Sequence, residues 1–141
     1  MSKKYLLDTC IWRDFYEDRF SKSGKPFGKY ATSLFVKILK NDDRIIFSEA
    51  LIWELRKDYK EREIYDMLNL LFVNKVLVKI DIAKEEYSEA KRLAQERNLP
   101  FVDCLNAVHA RNHNAILVSQ DDHYLKGLSD ISKVEKPEQV S

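Results

Sequence analysis

Glycine and proline are scarce, with three of each in 141 residues. Flexible linkers and low-complexity segments are built from these residues, so the chain has little room for either. Cysteine is scarcer still. Cys10 and Cys104 are too few and too far apart for a disulfide framework or a paired-cysteine zinc knuckle, which points to a reducing compartment. No run approaches the ~20 apolar residues that a membrane-crossing helix needs, and no membrane association is expected. The basic opening, MSKKYLLD, loses its apolar run at Asp8 and lacks the build of a secretion signal. Net charge is also nearly absent. With 24 Lys and Arg against 23 Asp and Glu, the whole-molecule balance neither requires nor excludes a nucleic acid.

What is present is a core. Hydrophobic residues make up 45% of the chain, enough for one domain spanning residues 1–141, expected in the cytoplasm. Residues 5–7 and 44–47 read as short apolar strands, as do 76–80 and 115–119, with residues 131–134 as a possible edge strand. Between them, residues 11–20, 30–39, 49–59, 64–73, 84–97 and 101–113 carry helical patterns, and Ser48 is a natural N-cap. Residues 21–28 are the clearest loop, and the tail EKPEQVS reads as polar. Strands alternating with helices predict an α/β sandwich with a mostly parallel sheet, and ligands of such sheets bind beyond the carboxyl ends of the strands.

Carboxylates gather at that edge. Asp8 directly follows the first strand, and Asp121 and Asp122 follow the strand AILVS. Asp103 opens the helix leading into that strand, and Glu54 lies a turn and a half into the helix after the second. Taken singly, Asp8 or Asp103 is explained as a helix cap, and Asp121 or Asp122 as the start of a last short helix. Glu54 resists that explanation, because Ala50, Leu51 and Leu55 place it on or beside an apolar stripe, where a carboxylate is costly. Glu49, in the first turn, is structural. Carboxylates converging on one cleft repel one another, and raised pKa values or a divalent cation relieve this. All-oxygen donors suit Mg²⁺ or Mn²⁺, which serve phosphodiester hydrolysis.

Other chemistries fit less well. His109 and His113 stand four apart on a helix, but residue 110 is alanine and no third soft ligand accompanies them. The glycine-rich GK[ST] phosphate loop is absent, and Cys10 stands where a phosphatase would want its second aspartate.

In order and spacing, four segments resemble the motifs of the PIN domain, the fold of VapC-type toxins. LLDTCIW resembles its first, a strand ending in Asp8 and followed by the hydroxyl of Thr9. IIFSEALIWELRK resembles the second, with Glu54 six residues after Ser48, and LPFVDCLNAVHA the third, with Asp103 opening a helix rich in small residues. AILVSQDDHYLKGL resembles the fourth, through Ser119, Asp121 and Tyr124, and KVEKPEQV resembles the family's usual close.

The resemblance spans nearly the whole chain and implies a PIN-like three-layer α/β/α sandwich. It implies a ribonuclease dependent on Mg²⁺ or Mn²⁺ that leaves a 5′-phosphate and a 3′-hydroxyl. It further implies a homodimer and an antitoxin whose tail enters the groove. Asp8, Glu54, Asp103 and Asp121 would form the metal site, directly or through water. Thr9 and Ser119 would orient them, with Asn106 as an extra polar contact. Arg13, Arg56 and Lys57 would hold RNA phosphates, with Lys22, Lys25 and Lys29 as further candidates. Trp12 and Trp53 could stack bases, although their helical, apolar setting suits packing. Two other readings stay open: an RNA-processing nuclease without an antitoxin, and a non-catalytic binding module.

Overall fold

The computed structural model describes residues 2–140. Five strands, β1 (Lys4–Leu7), β2 (Arg44–Phe47), β3 (Leu77–Lys79), β4 (Ile116–Val118) and β5 (Val134–Glu135), form one sheet in the order β3-β2-β1-β4-β5. Every pairing in it is parallel. Helices fill the connections: α1 (Thr9–Glu17), α2 (Phe27–Lys40), α3 (Glu49–Arg56), α4 (Glu61–Val73), α5 (Lys84–Arg97), α6 (Phe101–Asn112) and α7 (Asp122–Gly127).

Alternation along the strands builds three layers. Tyr5, Leu7, Ile45 and Phe47 face a core shared with α1 to α4. Leu6, Ile46 and Leu117 face the opposite core, made with α5, α6 and α7. A parallel strand covered on both faces reads as a continuous apolar run, which is why YLL and RIIF were visible as strands. The α/β/α sandwich expected from the sequence is the fold.

The structure departs from the sequence expectations at four places. The first helix starts at Thr9, directly after Asp8, and ends at Glu17. Asp18 adopts a left-handed conformation, with φ of 50°, and its N–H donates to the Asp14 carbonyl, so Phe20 falls outside the helix. The second helix begins early, at Phe27, because the loop closes tightly on it. The Gly28 N–H donates to the Arg19 carbonyl at 2.8 Å, and a Cβ on Gly28 would lie 2.6 Å from Asp18 Cα. The last strand is later than predicted, since residues up to Ser132 turn back onto Leu128 before the chain pairs at Val134–Glu135. The tail is not merely polar. It forms a 3-10 helix, Pro137–Gln139, that buries Val140 in the core beside α2, where Lys37 Nζ donates to its carbonyl.

A candidate metal centre at the switch point of the sheet

The chain leaves β1 toward β2 and β3 on one side, then places β4 and β5 on the other. The crevice between the carboxyl ends of β1 and β4 is therefore the topological switch point, where open α/β sheets bind ligands. Asp8 and Ser119 are the first residues beyond those two strands. The Asp8 N–H still donates to the Val118 carbonyl at 3.0 Å, so the ladder itself sets the height of Asp8.

Asp8 occupies the N-cap position of α1, yet its side chain makes no capping hydrogen bond. The carboxylate turns into the crevice instead. Ser119 Oγ donates to Asp8 Oδ2 at 2.9 Å, and the Tyr124 hydroxyl lies 3.2 Å from Asp8 Oδ1. The same hydroxyl is 3.0 Å from Asp103 Oδ1 and accepts from Asn106 Nδ2 at 3.0 Å. Ser119 Oγ also accepts from the Asp121 N–H at 2.9 Å. Asp121 is a true cap, its Oδ1 accepting from the His123 N–H at 2.8 Å. One largely buried network thus joins the ends of β1 and β4 to α6 and α7.

Electrostatics match the crowding. Burial, and next the charge of Asp8, push the Asp103 carboxyl up to about 6, against opposing hydrogen bonds from His123 and Tyr124. Burial likewise raises Asp8, opposed by its hydroxyl partner Ser119. Burial and the two carboxylates hold the Tyr124 phenol far above its ordinary value, so it remains a donor. A hydroxyl has one proton to give, so it serves the two aspartates by turns or by a shared bond. Two carboxylates this close, with raised affinities for protons, are a site that a cation would relieve.

The remaining expected residues lie around this network. Thr9 is buried in the first turn of α1, and its hydroxyl bonds to none of the three aspartates. Glu54 is half-buried on α3, with Oε2 held by Lys57 Nζ at 2.6 Å, and no hydrogen bond joins it to Asp8, Asp103 or Asp121 among the described residues. Asp122 points away toward Lys126, 3.6 Å distant, so Asp121 is the acid in the crevice. Three of the expected phosphate cations already face a carboxylate: Arg13 on Asp58 at 2.7 Å, Arg56 on Glu61 at 2.7 Å, and Lys57 on Glu54. Lys22, Lys25 and Lys29 are exposed. Trp12 is wholly buried in the core, whereas Trp53 is exposed. Glu49 pairs with Lys79 across to β3. His109 and His113 stack edge to face with centroids 6.2 Å apart, and His109 lies buried beside Glu86.

Sequence reasoning missed His123. Its Nδ1 lies 2.9 Å from Asp103 Oδ2 and 3.5 Å from Asp121 Oδ1. Among the described residues, Asp103, Asp121 and His123 form the one group whose ligand atoms all lie within 4.8 Å of one another. The one signal for it in the sequence is its position two residues beyond Asp121, a spacing with no helical or strand periodicity.

A sequence profile of the PIN domain matches residues 5–129. The chain belongs to the PIN domain family. Solved structures agree in fold. This PIN domain is similar to a chain of VapBC2 from Rickettsia felis, solved bound to a DNA fragment from their promoter, at TM-score 0.65 and 22% identity, covering 94% of this chain and 98% of that one. It is similar to a chain of a toxin–antitoxin complex from Klebsiella pneumoniae, at TM-score 0.63 and 17% identity, covering 96% and 99%. FitAcB from Neisseria gonorrhoeae gives TM-score 0.60 at 16% identity, covering 96% and 99%. By sequence, no curated protein matches the chain. No helix of this PIN domain, among the described residues, is long and apolar enough to cross a membrane.

Proposed function

We propose that this PIN domain is a metal-dependent endoribonuclease and the toxin of a toxin–antitoxin pair. The observation that carries the reading is the meeting of Asp8, Asp103 and Asp121 at the switch point, two of them bonded to one tyrosine hydroxyl. The donor set fits a hard divalent cation, Mg²⁺ or Mn²⁺: carboxylate oxygens in a cleft whose own charges repel. Asp8, Asp103 and Asp121 would hold it, with Glu54 joining through water or after leaving Lys57. When bound, such a cation activates water for attack and offsets charge on a phosphoryl oxygen.

The chain's own residues do the rest. Ser119 fixes the Asp8 carboxylate and the Asp121 backbone together, so two ligands from different strands keep one spacing. Asn106 orients the Tyr124 hydroxyl, which in turn aims Asp8 and Asp103 into the crevice. Arg13, Arg56 and Lys57 would exchange their present carboxylate partners for RNA phosphates. Hydrolysis by in-line attack then leaves a 5′-phosphate and a 3′-hydroxyl.

Partners follow the same reading. The relatives from Klebsiella pneumoniae and Rickettsia felis were solved as toxin–antitoxin and VapBC2 assemblies, which supports an antitoxin for this chain. Exposed Val36 on α2 and Leu70 and Val73 on α4 supply apolar surface for assembly, as an antitoxin complex or a homodimer. Incubation with structured RNAs in Mg²⁺ or Mn²⁺ tests the activity. Cleavage that stops on chelation and in Asp8→Asn supports it. Cleavage that survives both refutes it, and metal binding without cleavage favours a binding module. A neighbouring reading frame for a small DNA-binding protein that silences the activity supports the antitoxin.

A further inference from the structure

We propose that His123 is a nitrogen ligand of the cation held at this site, and that it turns the preference of the site from Mg²⁺ toward Mn²⁺ and later first-row ions. The inference rests on the metal-dependent reading above and adds a donor that the carboxylate motifs do not include.

The geometry is the argument. Neighbouring ligands of one cation at metal–ligand distances near 2.1 Å stand about 3.0 Å apart in an octahedron and about 3.4 Å apart in a tetrahedron. His123 Nδ1 stands 2.9 Å from Asp103 Oδ2 and 3.5 Å from Asp121 Oδ1, which brackets that spacing. The oxygens nearest the ring are Asp103 Oδ2 and Asp121 Oδ1. Asp103 Oδ1 is taken by the Tyr124 hydroxyl, leaving Oδ2 on the side of the imidazole. Asp121 Oδ1 caps α7 through the His123 N–H, so the same carboxylate fixes where the His123 side chain starts. The His123 side chain is about half exposed, so an ion can reach the donor cluster from solvent.

The chemistry then sets the preference. Mg²⁺ takes oxygen ligands and gives up its waters reluctantly. Imidazole favours transition ions, and affinity for mixed nitrogen and oxygen sites rises from Mn²⁺ through Co²⁺ to Ni²⁺. A lone imidazole among carboxylates therefore adds little for Mg²⁺ and much for Co²⁺.

Titration calorimetry of the full chain with Mg²⁺, Mn²⁺ and Co²⁺ chlorides tests this, comparing wild type with His123→Ala and His123→Asn. The Asn variant keeps a neutral amide for Asp103 and removes the imidazole. Expected is a loss of about 10- to 100-fold in Co²⁺ affinity, a smaller loss for Mn²⁺, and less than about 3-fold for Mg²⁺, alike in both variants. The visible spectrum of bound Co²⁺ shifts in both. Equal loss for all three ions, or rescue by His123→Asn, means that His123 acts through its bond to Asp103 and overturns the proposal. Unchanged affinities overturn it too, while leaving the nuclease reading intact. A wild-type chain that binds none of the ions removes both.

Discussion

Ser119 Oγ donates to Asp8 Oδ2 at 2.9 Å, although 111 residues separate the two in the chain. One hydroxyl ties the end of β1 to the end of β4, and through its second bond to the Asp121 N–H it sets the third acid as well. The bond is buried, so nothing in solvent substitutes for it.

Replacing Ser119 by alanine leaves the buried Asp8 carboxylate and the Asp121 N–H short of a partner. Expected is a loss of about 1–3 kcal/mol in unfolding free energy and about 10- to 100-fold in metal affinity. Ser119→Thr keeps the hydroxyl and should recover most of the affinity. Denaturant unfolding and calorimetry read the two effects. Equal metal affinity in the alanine variant would show that Asp8 needs no such support.

Tyr124→Phe keeps a ring that is wholly buried and removes the hydroxyl shared by Asp8, Asp103 and Asn106. The metal-free variant should be less stable by about 1–3 kcal/mol, the cost of leaving buried polar groups unpaired. Added Mn²⁺ should recover part of the difference by taking over the carboxylates. Thermal melts with and without the ion check this, and an unchanged melt without metal would contradict it.

The raised Asp103 carboxyl gives a pH signature. Its folded value of about 6 stands above the ordinary unfolded value of about 3.9. Between those values the folded chain holds a proton that the unfolded chain has lost, so this stabilisation fades as pH rises through about 6. The gain in metal-free stability from Asp103→Asn should therefore be larger at pH 7.5 than at pH 5. Protons and metal compete for the same oxygen, so Mn²⁺ affinity of the wild type should fall as pH drops below about 6. Flat profiles would count against the burial of this charge.

His109 has the opposite sign. It is wholly buried in α6, and neither ring nitrogen has a hydrogen-bond partner; Nε2 lies 3.4 Å from Glu86 Oε1 without the alignment of a bond. Burial lowers its pKa below 6.5, outweighing the attraction of Glu86. The unfolded chain then takes up the proton more readily, and stability is lost as pH falls below 6.5. His109→Leu, of similar volume, should match or exceed wild-type stability at pH 7, and its advantage should grow toward pH 5. Chemical denaturation at the two pH values decides it.

Much of this was legible in the sequence because parallel strands buried on both faces leave uninterrupted apolar runs, and the acids follow those runs directly. Asp8 and Asp121 could be placed at the sheet edge from strand endings alone. Tyr124 as the hub, and His123 as its neighbour, could not. Their roles depend on the six-residue helix α7 folding back against α6, a tertiary fact with no periodic trace. Glu54 shows the converse. Its apolar neighbours predicted a burdened carboxylate, and α3 leaves its side chain about one-fifth exposed and paired with Lys57 one turn later. The tail misled because a single buried Val140 among polar residues carries no pattern.

Under the proposed function, Asp8, Asp103 and Asp121 hold a cation that makes this chain a ribonuclease. The most direct measurement follows a structured RNA by denaturing gel with wild type, Asp8→Asn and Asp103→Asn, each with Mn²⁺ and again with chelator. Expected is cleavage by the wild type with metal, leaving 5′-phosphate ends, and loss of cleavage in every other lane. Cleavage by either variant at the wild-type rate, or in the presence of chelator, would contradict it.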